Sequence, residues 1–467
     1  MRHRTKVLLA AAFALAACET TPPPVTPVDV APAPPPAVAT PTPPPPAADP
    51  ATVTDGDVTV AYVNGLEILI KRIPGAELAS GHLYIKGGVR NWTAADAGIE
   101  DLALSTAASG GTEKLDKDAF ARRLAALGSG IGASSGNDYS SIRMTSVIKE
   151  WDATFALLTD TFLRPALPAS ELEQHRQRSL SALHHEQENP DGRLRLAMHD
   201  RVFAGHPYVN RSTGTLESVP KNQIAYLGAH LARLRQTSRL LFVAAGDLDP
   251  AHVIEQIRAT LGALPRGDYQ ETPLPRLAFD KASLAVLEQK LPTNYCQSNF
   301  IAPGYGDADY AAAVMAMSVL GDRLFDEIRT KRNLSYAPSA RLSSSLSIGI
   351  GVLYVTAVDA DAARKVTLDE VRRLQNEALP AKDLTSAKSL FLTGYLMGNE
   401  TMSGQAGMLA QARLIGNDWH LARTLPERIK AVTAEGIQAF AKKYAGHLQT
   451  VVIGDPAKID KTLFGSM

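Results

Sequence analysis

The sequence of 467 residues has few cysteines, no net charge and no apolar run long enough to span a membrane. Two cysteines cannot form the framework of a disulfide-stabilised scaffold. The 48 lysine and arginine residues balance 48 aspartate and glutamate residues, so the chain lacks the basic surface of a dedicated nucleic-acid-binding protein. With 45% hydrophobic residues, the composition is that of a globular protein.

The amino terminus resembles a bacterial lipoprotein leader. Basic residues near Arg2 precede an apolar run of eleven residues, Val7–Ala17, and small residues then lead to Cys18. This pattern predicts a signal peptide over residues 1–17, cleavage before Cys18 and acylation of that cysteine. The protein would then lie on the periplasmic side of a bacterial membrane, attached by lipid alone. A plain signal peptide with an incidental Cys18 is the alternative.

Proline is concentrated in one segment. Of the 30 prolines, 14 lie between Pro22 and Pro50. Because a Pro/Ala/Thr segment has too few apolar residues to fold and favours the polyproline II conformation, we expect residues 18–50 to be a lipid-anchored tether. With Cys18 acylated, Cys296 is the remaining thiol, and we expect it to be buried and inert.

The rest of the chain contains an internal repeat. Three segments recur in the same order at offsets of 208 to 213 residues: 166–172 as 378–384, 219–224 as 432–437, and 245–247 as 453–455. A repeat of this length indicates a duplicated domain rather than a solenoid. We therefore predict an α+β fold of two homologous α/β sandwich halves, residues 51–267 and 275–467, joined by a connector at Pro265–Pro275.

Hydrophobic periodicity predicts strands followed by pairs of helices in each half. The predicted strands are Val58–Val63, Glu67–Lys71, Ser80–Gly87, Tyr139–Val147, Ser335–Ser343 and Ser347–Val355. The predicted helices are Gly98–Ala108, Lys117–Leu127, Asp152–Phe162, Ser170–His185, Tyr310–Ile328, Ala360–Glu377 and Asp383–Met397. Ser170 and Glu173 have the spacing of a capping box at a helix start.

Several motifs in this arrangement resemble the pitrilysin/insulinase family of zinc peptidases. They are Gly98–Ser105, Leu124–Gly128 before the Tyr139 strand, Gly205–Tyr208, and the strand that ends at Gly246-Asp247. The resemblance extends over roughly residues 55–460. It implies two homologous halves that close like a clam around a peptide and form a chamber.

This chain differs from the family at the zinc-binding motif. The resemblance implies His-x-x-Glu-His on one helix, with two imidazoles facing one zinc ion and the glutamate acting as general base. Here the three positions are Asp101, Leu104 and Ser105. Leucine cannot accept a proton, and serine is a poor zinc ligand. The family's third ligand, a glutamate, falls near Ser181-Ala182, so we expect this chain to bind no zinc.

The sequence contains no replacement for this motif, because neither His-x-x-Glu-His nor His-Glu-x-x-His occurs anywhere in it. Glu100 and Asp101 with the distant His82 are the alternative ion ligands. Nothing in their spacing makes the three side chains converge, as a metal site requires.

The second half retains a different feature of the family. Arg329 precedes Tyr336 by seven residues, which resembles the family's Arg/Tyr element at a helix-to-strand turn. The resemblance implies that the tyrosine hydroxyl stabilises the developing oxyanion and that the arginine contacts the substrate near the scissile bond. Arg332 is the alternative arginine. A surface arginine at a helix end with a packed tyrosine is the structural alternative.

The absent zinc motif and the retained Arg/Tyr element lead to one hypothesis. In two-chain bacterial members of the family, one subunit carries the zinc motif and the other carries the arginine and the tyrosine. This chain resembles the second kind, a non-catalytic subunit of a heterodimeric periplasmic zinc peptidase. Its partners would be a homologous zinc-bearing subunit and peptide substrates, with Arg329 and Tyr336 acting in trans. The alternatives are a peptide-binding or scaffold protein with no hydrolytic role, and an autonomous metalloendopeptidase with an atypical site.

Overall fold

Two β-sheets, one from each half of the chain, organise the fold. The computed structural model describes residues 48–343 and 347–467, so the predicted signal peptide, Cys18 and almost all of the predicted tether lie outside the described residues. The first sheet comprises β1 (Val53–Asp55), β2 (Val58–Val63), β3 (Leu66–Arg72), β4 (Leu78–Lys86), β5 (Gly130–Ser134), β6 (Tyr139–Val147) and β7 (Leu240–Gly246). The second comprises β8 (Ser283–Glu288), β9 (Asn294–Ala302), β10 (Ser339–Ser343), β11 (Gly349–Ala357) and β12 (Gln449–Gly454).

The two sheets have the same topology at their last strand. The strand order is β1-β2-β3-β7-β4-β6-β5 in the first sheet and β10-β11-β9-β12-β8 in the second. In each sheet the last strand of the half is inserted between two earlier strands, parallel to one and antiparallel to the other. These inserted strands, β7 and β12, end in the repeated segments 245–247 and 453–455. The predicted α+β fold is confirmed, with two related sheets.

The sheets pack against α-helices. Those of the first half are α1 (Ile99–Ser109), α2 (Lys117–Ala126), α3 (Trp151–Leu163), α4 (Ala169–Glu188), α5 (Pro190–Val202), α6 (Ile224–Leu234) and α7 (Pro250–Ala259). Those of the second half are α8 (Tyr310–Leu324), α9 (Ala360–Asn376), α10 (Ala381–Gly398), α11 (Met402–Leu414), α12 (Leu421–Ala431), α13 (Ala434–Tyr444) and α14 (Lys461–Phe464). Within the described residues, none of these helices combines the length and the apolar character needed to cross a membrane.

The predicted capping box at the start of α4 does not form. The helix already begins at Ala169, after an N-cap at Pro168 that makes no side-chain cap. Ser170 therefore lies inside the helix, where its hydroxyl cannot cap the first free N–H groups. Glu173 instead accepts a hydrogen bond of 2.7 Å from the side chain of Gln177.

Two boundaries in the second half also differ from the prediction. The helix predicted to reach Ile328 is α-helical only to Leu324 and continues as a π-helical turn. The strand predicted from Ser335 begins at Ser339. Pro338 immediately precedes it, and a proline has no N–H group with which to extend a strand ladder.

A helix of each half packs on the sheet of the other half. α5, from the first half, lies on β12 and β9 of the second sheet, and α11, from the second half, lies on β4 and β7 of the first sheet. α5 begins 212 residues before α11, the offset that also separates the repeated segments 166–172 and 378–384. The duplicated halves therefore exchange equivalent helices.

The exchange gives the two halves common hydrophobic cores. Leu194 and Met198 of α5 belong to one buried cluster with Ile453 of β12. Leu409 of α11 belongs to another with Leu241 of β7. Because burying a side chain of this size stabilises the fold by about 1.5–3 kcal/mol, separating the halves would cost the burial energy on both sheets.

A buried carboxylate adds a polar tie between the halves. Asp138, which is 4% exposed, forms an ion pair with Arg90 and accepts a hydrogen bond from the Tyr208 hydroxyl. From the second half, Ser347 donates its backbone N–H to the same carboxylate at 3.1 Å and its hydroxyl at 2.8 Å. Arg90 also contacts Glu271 at 2.8 Å, in the segment between the two sheets. Asp138 is thus the acceptor on which these elements converge.

We expect Asp138→Ala to lower the free energy of unfolding by about 3 kcal/mol, because it leaves a buried guanidinium without its carboxylate. The value lies at the low end for a broken buried pair, since Glu271 still contacts Arg90. Urea denaturation of both proteins measures the change. Asp268→Ala, an exposed aspartate, is the control and should stay within about 0.5 kcal/mol of the wild type. An equal loss in the two variants would contradict the role of Asp138.

Candidate functional site

α1 is the helix on which the family's zinc motif would lie. It follows Gly98, whose φ of 84° is left-handed and whose missing Cβ lets the backbone of Gly214 approach. From this start, Leu104 lies in the core with no exposed surface, whereas Asp101 and Ser105 are half-buried. Leu104, the residue predicted at the general-base position, is therefore a hydrocarbon side chain packed in the protein interior.

A cavity of about 630 Å³ lies beside α1. It is lined by residues of α1, α4 and α5 and of the segments that follow α4 and α5: Asp101, Arg178, Ser179, Ala182, Leu183, His185, Glu186, Asn189, Asp191, Arg195 and Thr213. Two of the sequence positions predicted for zinc ligands, Asp101 and Ala182, thus face one cavity. Leu104, Ser105, Arg329 and Tyr336 are not among its lining residues.

Around this cavity Glu186, Asp191 and Arg195 have partners among the described residues, whereas Asp101 and Arg178 do not. Glu186 lies 3.6 Å from the guanidinium of Arg195, and Asp191 accepts a hydrogen bond of 2.5 Å from a tyrosine hydroxyl of β11. Among the described residues, no hydrogen bond or ion pair reaches the carboxyl group of Asp101 or the guanidinium of Arg178. Burial, and then the neighbouring carboxylate of Glu100, raise the pKa of Asp101 to about 6.

The alternative ion ligands do not converge. Glu100 is fully buried, and its carboxylate lies 2.9 Å from the imidazole of His230. His82 is also buried, with its Nδ1 atom 2.9 Å from the hydroxyl of Tyr84. Burial, and then a nearby arginine, lower the pKa of His82 to about 3. In the part of the chain that the structure describes, no group of three His, Cys, Asp or Glu residues is arranged to hold a metal ion.

Arg329 and Tyr336 lie together beyond the end of α8. The π-helical turn Phe325–Thr330 continues that helix, and Asn333, with a φ of 50°, then reverses the chain toward β10. This turn brings the guanidinium carbon of Arg329 to 4.0 Å from the ring centre of Tyr336. Tyr336 is 76% exposed, so the tyrosine is not packed in the core. The pair is open to a ligand or a partner.

The surrounding ion pairs distinguish Arg329 from Arg332. Arg332 donates to the backbone carbonyl of Glu327 at 2.8 Å and also pairs with its carboxylate. The Nζ atom of Lys331 lies 2.6 Å from the same carboxylate. No ion pair to Arg329 occurs within residues 48–343 and 347–467, so its donors remain available.

The sequence analysis missed two neighbours of these sites. Phe325 places its ring 4.7 Å from the guanidinium carbon of Arg329, and the i,i+4 spacing of the two residues was a usable signal. His230 contacts Glu100 although the two residues are 130 positions apart in the sequence, so no local sequence pattern predicts this contact.

The remaining cysteine is a core residue. Cys296 on β9 is 4% exposed, and burial raises the pKa of its thiol to about 12. It carries no disulfide. The prediction that Cys296 is buried is confirmed, and its thiol stays protonated near neutral pH.

We expect Asp101→Asn to stabilise the protein increasingly as pH rises from 4 to 7. Because the pKa of Asp101 is raised, the folded protein holds a proton that the unfolded chain releases. The contribution of this proton to the stability of the wild type is therefore fully present below pH 4 and is lost as the pH rises through 6. The gain of the variant over the wild type should approach about 3 kcal/mol. Urea unfolding at several pH values measures it, with Asp268→Asn as the exposed control. A constant difference between variant and wild type across this range would refute the assignment.

Family comparisons match both halves of the chain. Residues 67–215 match the family described as insulinase, peptidase family M16, and residues 229–391 match the peptidase M16 inactive domain. The first match includes α1 and the cavity residues of α4 and α5. The second includes the Arg329–Tyr336 pair.

Relatives of this chain carry different names. A Helicobacter pylori protein named non-peptidase homolog YmxG is 24% identical over 372 residues, which are 78% of this chain and 85% of that protein. An uncharacterized zinc protease of Mycobacterium bovis is 23% identical over 410 residues, 85% of this chain and 92% of that protein. The crystal structure of a peptidase M16 inactive domain from Pseudomonas fluorescens has the same fold, with a TM-score of 0.77, 19% identity, and coverage of 85% of this chain and 98% of its own. The chain thus belongs to the insulinase family, peptidase family M16.

Proposed function

We propose that this chain is a non-catalytic subunit of a bacterial zinc metallopeptidase. It binds peptides and completes the active site of a homologous, zinc-bearing partner. The observation that carries the proposal is the combination of two features of one chain: zinc-motif positions that carry Asp101, Leu104 and Ser105, and an exposed arginine–tyrosine pair. The relative named as a non-peptidase homologue supports a non-catalytic role.

The cavity beside α1 favours binding over hydrolysis. Leu104, packed in the core, cannot activate a water molecule, and Ala182 offers no ligand atom where the family has its third ligand. The cavity nevertheless keeps a volume of about 630 Å³ and has charged residues among those that line it. A peptide segment could bind in this cavity without being hydrolysed.

The Arg329–Tyr336 pair has the properties required of a contribution in trans. Both side chains lie outside the core, and Tyr336 is 76% exposed, so a partner can approach them. The tyrosine hydroxyl is a neutral donor for a developing oxyanion, and the guanidinium adds a permanent charge with a fixed fork of donors. Zinc would be bound by the partner alone.

The proposed location rests on the leader sequence. Acylation of Cys18 and the proline-rich tether would hold the subunit at the periplasmic face of a membrane, where lipid is the only attachment. Cys18→Ser should release the protein into the soluble periplasmic fraction, as fractionation and labelling with a fatty acid analogue would measure. A serine variant that stays with the membrane would argue against the anchor.

We expect a mixture of this chain with a homologue that carries His-x-x-Glu-His to cleave peptides, whereas each protein alone is inactive. Arg329→Ala and Tyr336→Phe should each lower kcat/KM of the mixture by on the order of 10²-fold, as loss of an oxyanion donor does elsewhere. Hydrolysis of a fluorogenic peptide library measures the rates.

Arg332→Ala is the matched control, because Arg332 lies on the same turn but is occupied by Glu327. Its mixture should retain wild-type kcat/KM. Unchanged activity in Arg329→Ala and Tyr336→Phe would contradict completion in trans. Peptide binding without activity in any mixture would favour a scaffold, and one equivalent of zinc bound tightly by this chain alone would favour an autonomous peptidase.

A further inference from the structure

We infer that Phe325 is a positioning residue that holds Arg329 beside Tyr336 for its role in trans. The inference deepens the proposed function and rests on it. The guanidinium carbon of Arg329 contacts two aromatic rings, at 4.7 Å from the ring centre of Phe325 and 4.0 Å from that of Tyr336. The three side chains are hereafter called the stack.

The π-helical turn makes this stack possible. The backbone N–H of Lys331 bonds to the carbonyl of Asp326 at 2.9 Å, which is the wide register of a π-helix. Ile328, with no exposed surface, anchors the turn in the core of the second half. With Ile328 fixed inward, the chain on either side of it presents Phe325 and Arg329 outward together.

The two aromatic rings restrain the side chain of Arg329, because the neighbouring carboxylates already form ion pairs with other residues. The two carboxylates of the same turn are engaged, because Lys331 contacts Asp326 at 2.8 Å and Glu327 at 2.6 Å, and Arg332 also binds Glu327. A free arginine side chain has many rotamers, and selecting one of them costs entropy. The ring faces provide that selection without using any hydrogen-bond donor.

The stack leaves the reactive edge of the guanidinium open. A guanidinium held by aromatic rings makes no hydrogen bond to them, so its five N–H donors, which lie in its plane, stay free for a ligand. An oriented donor edge is what a carbonyl or carboxylate oxygen of a bound peptide requires. Phe325 thus prepares Arg329 for a ligand without competing with it.

Phe325 has no comparable role in the core. It is 45% exposed, while its neighbours Leu324 and Ile328 are buried members of the core cluster. An exposed phenylalanine contributes little to folding, so its replacement should leave the fold intact. A ring that contacts an exposed arginine contributes about two- to five-fold to the population of that arrangement.

The test compares Phe325→Leu, which removes the ring, with Phe325→Tyr, which keeps it. In the active mixture we expect Phe325→Leu to lower kcat about two- to five-fold with little change in KM, and Phe325→Tyr to match the wild type. Leu390→Ala, at another exposed apolar residue of the second half, is the control and should change neither constant.

A second readout needs no partner. In the chain alone with labelled arginine, stacking against two rings should shift the Cδ proton signals of Arg329 upfield, and Phe325→Leu should reduce that shift whereas Phe325→Tyr keeps it. An unchanged shift in Phe325→Leu overturns the inference, as does a normal kcat of that variant in a mixture that depends on Arg329. If the shift responds as expected but no mixture is active, the proposed function fails and the positioning of Arg329 stands.

Discussion

The exchange of α5 and α11 is the constraint on which the rest of the structure depends. Each sheet has one face completed by a helix that belongs to the other half. Neither half therefore has a finished core by itself, and apolar residues such as Leu194 and Leu409 are buried only when both halves are present. The polar tie at Asp138 joins the same two bodies, so apolar and polar contacts reinforce one arrangement.

This constraint explains why a cavity persists where the zinc ligands are absent. The walls of the cavity come from α1, α4 and the first turns of α5, and α5 is packed on the second sheet. Packing of these helices holds the walls apart. The predicted zinc-motif positions Asp101, Leu104 and Ser105 lack the side chains of the motif, whereas the helices that shape the cavity are kept.

Local structure could be read from the sequence because its causes are local. The β2–β3 hairpin follows from alternating apolar residues around Asn64-Gly65, both with positive φ. The exchange of helices could not be read in this way, since an apolar face on α5 does not reveal which sheet covers it. At the site, spacing alone could not choose between Arg329 and Arg332. The choice depends on the ion pairs of Glu327, which only the folded chain displays.

Because of the π-helical turn, the direction of the side chains that follow it depends on the number of residues in the turn. A π-turn accommodates one residue more per turn of hydrogen bonding than the α-helix that precedes it. If the same six residues, Phe325–Thr330, continued α8 in its ordinary register, the extra residue would turn every later side chain by about 100° around the helix axis. The direction in which Arg329 points is thus encoded by a residue count as much as by residue identity.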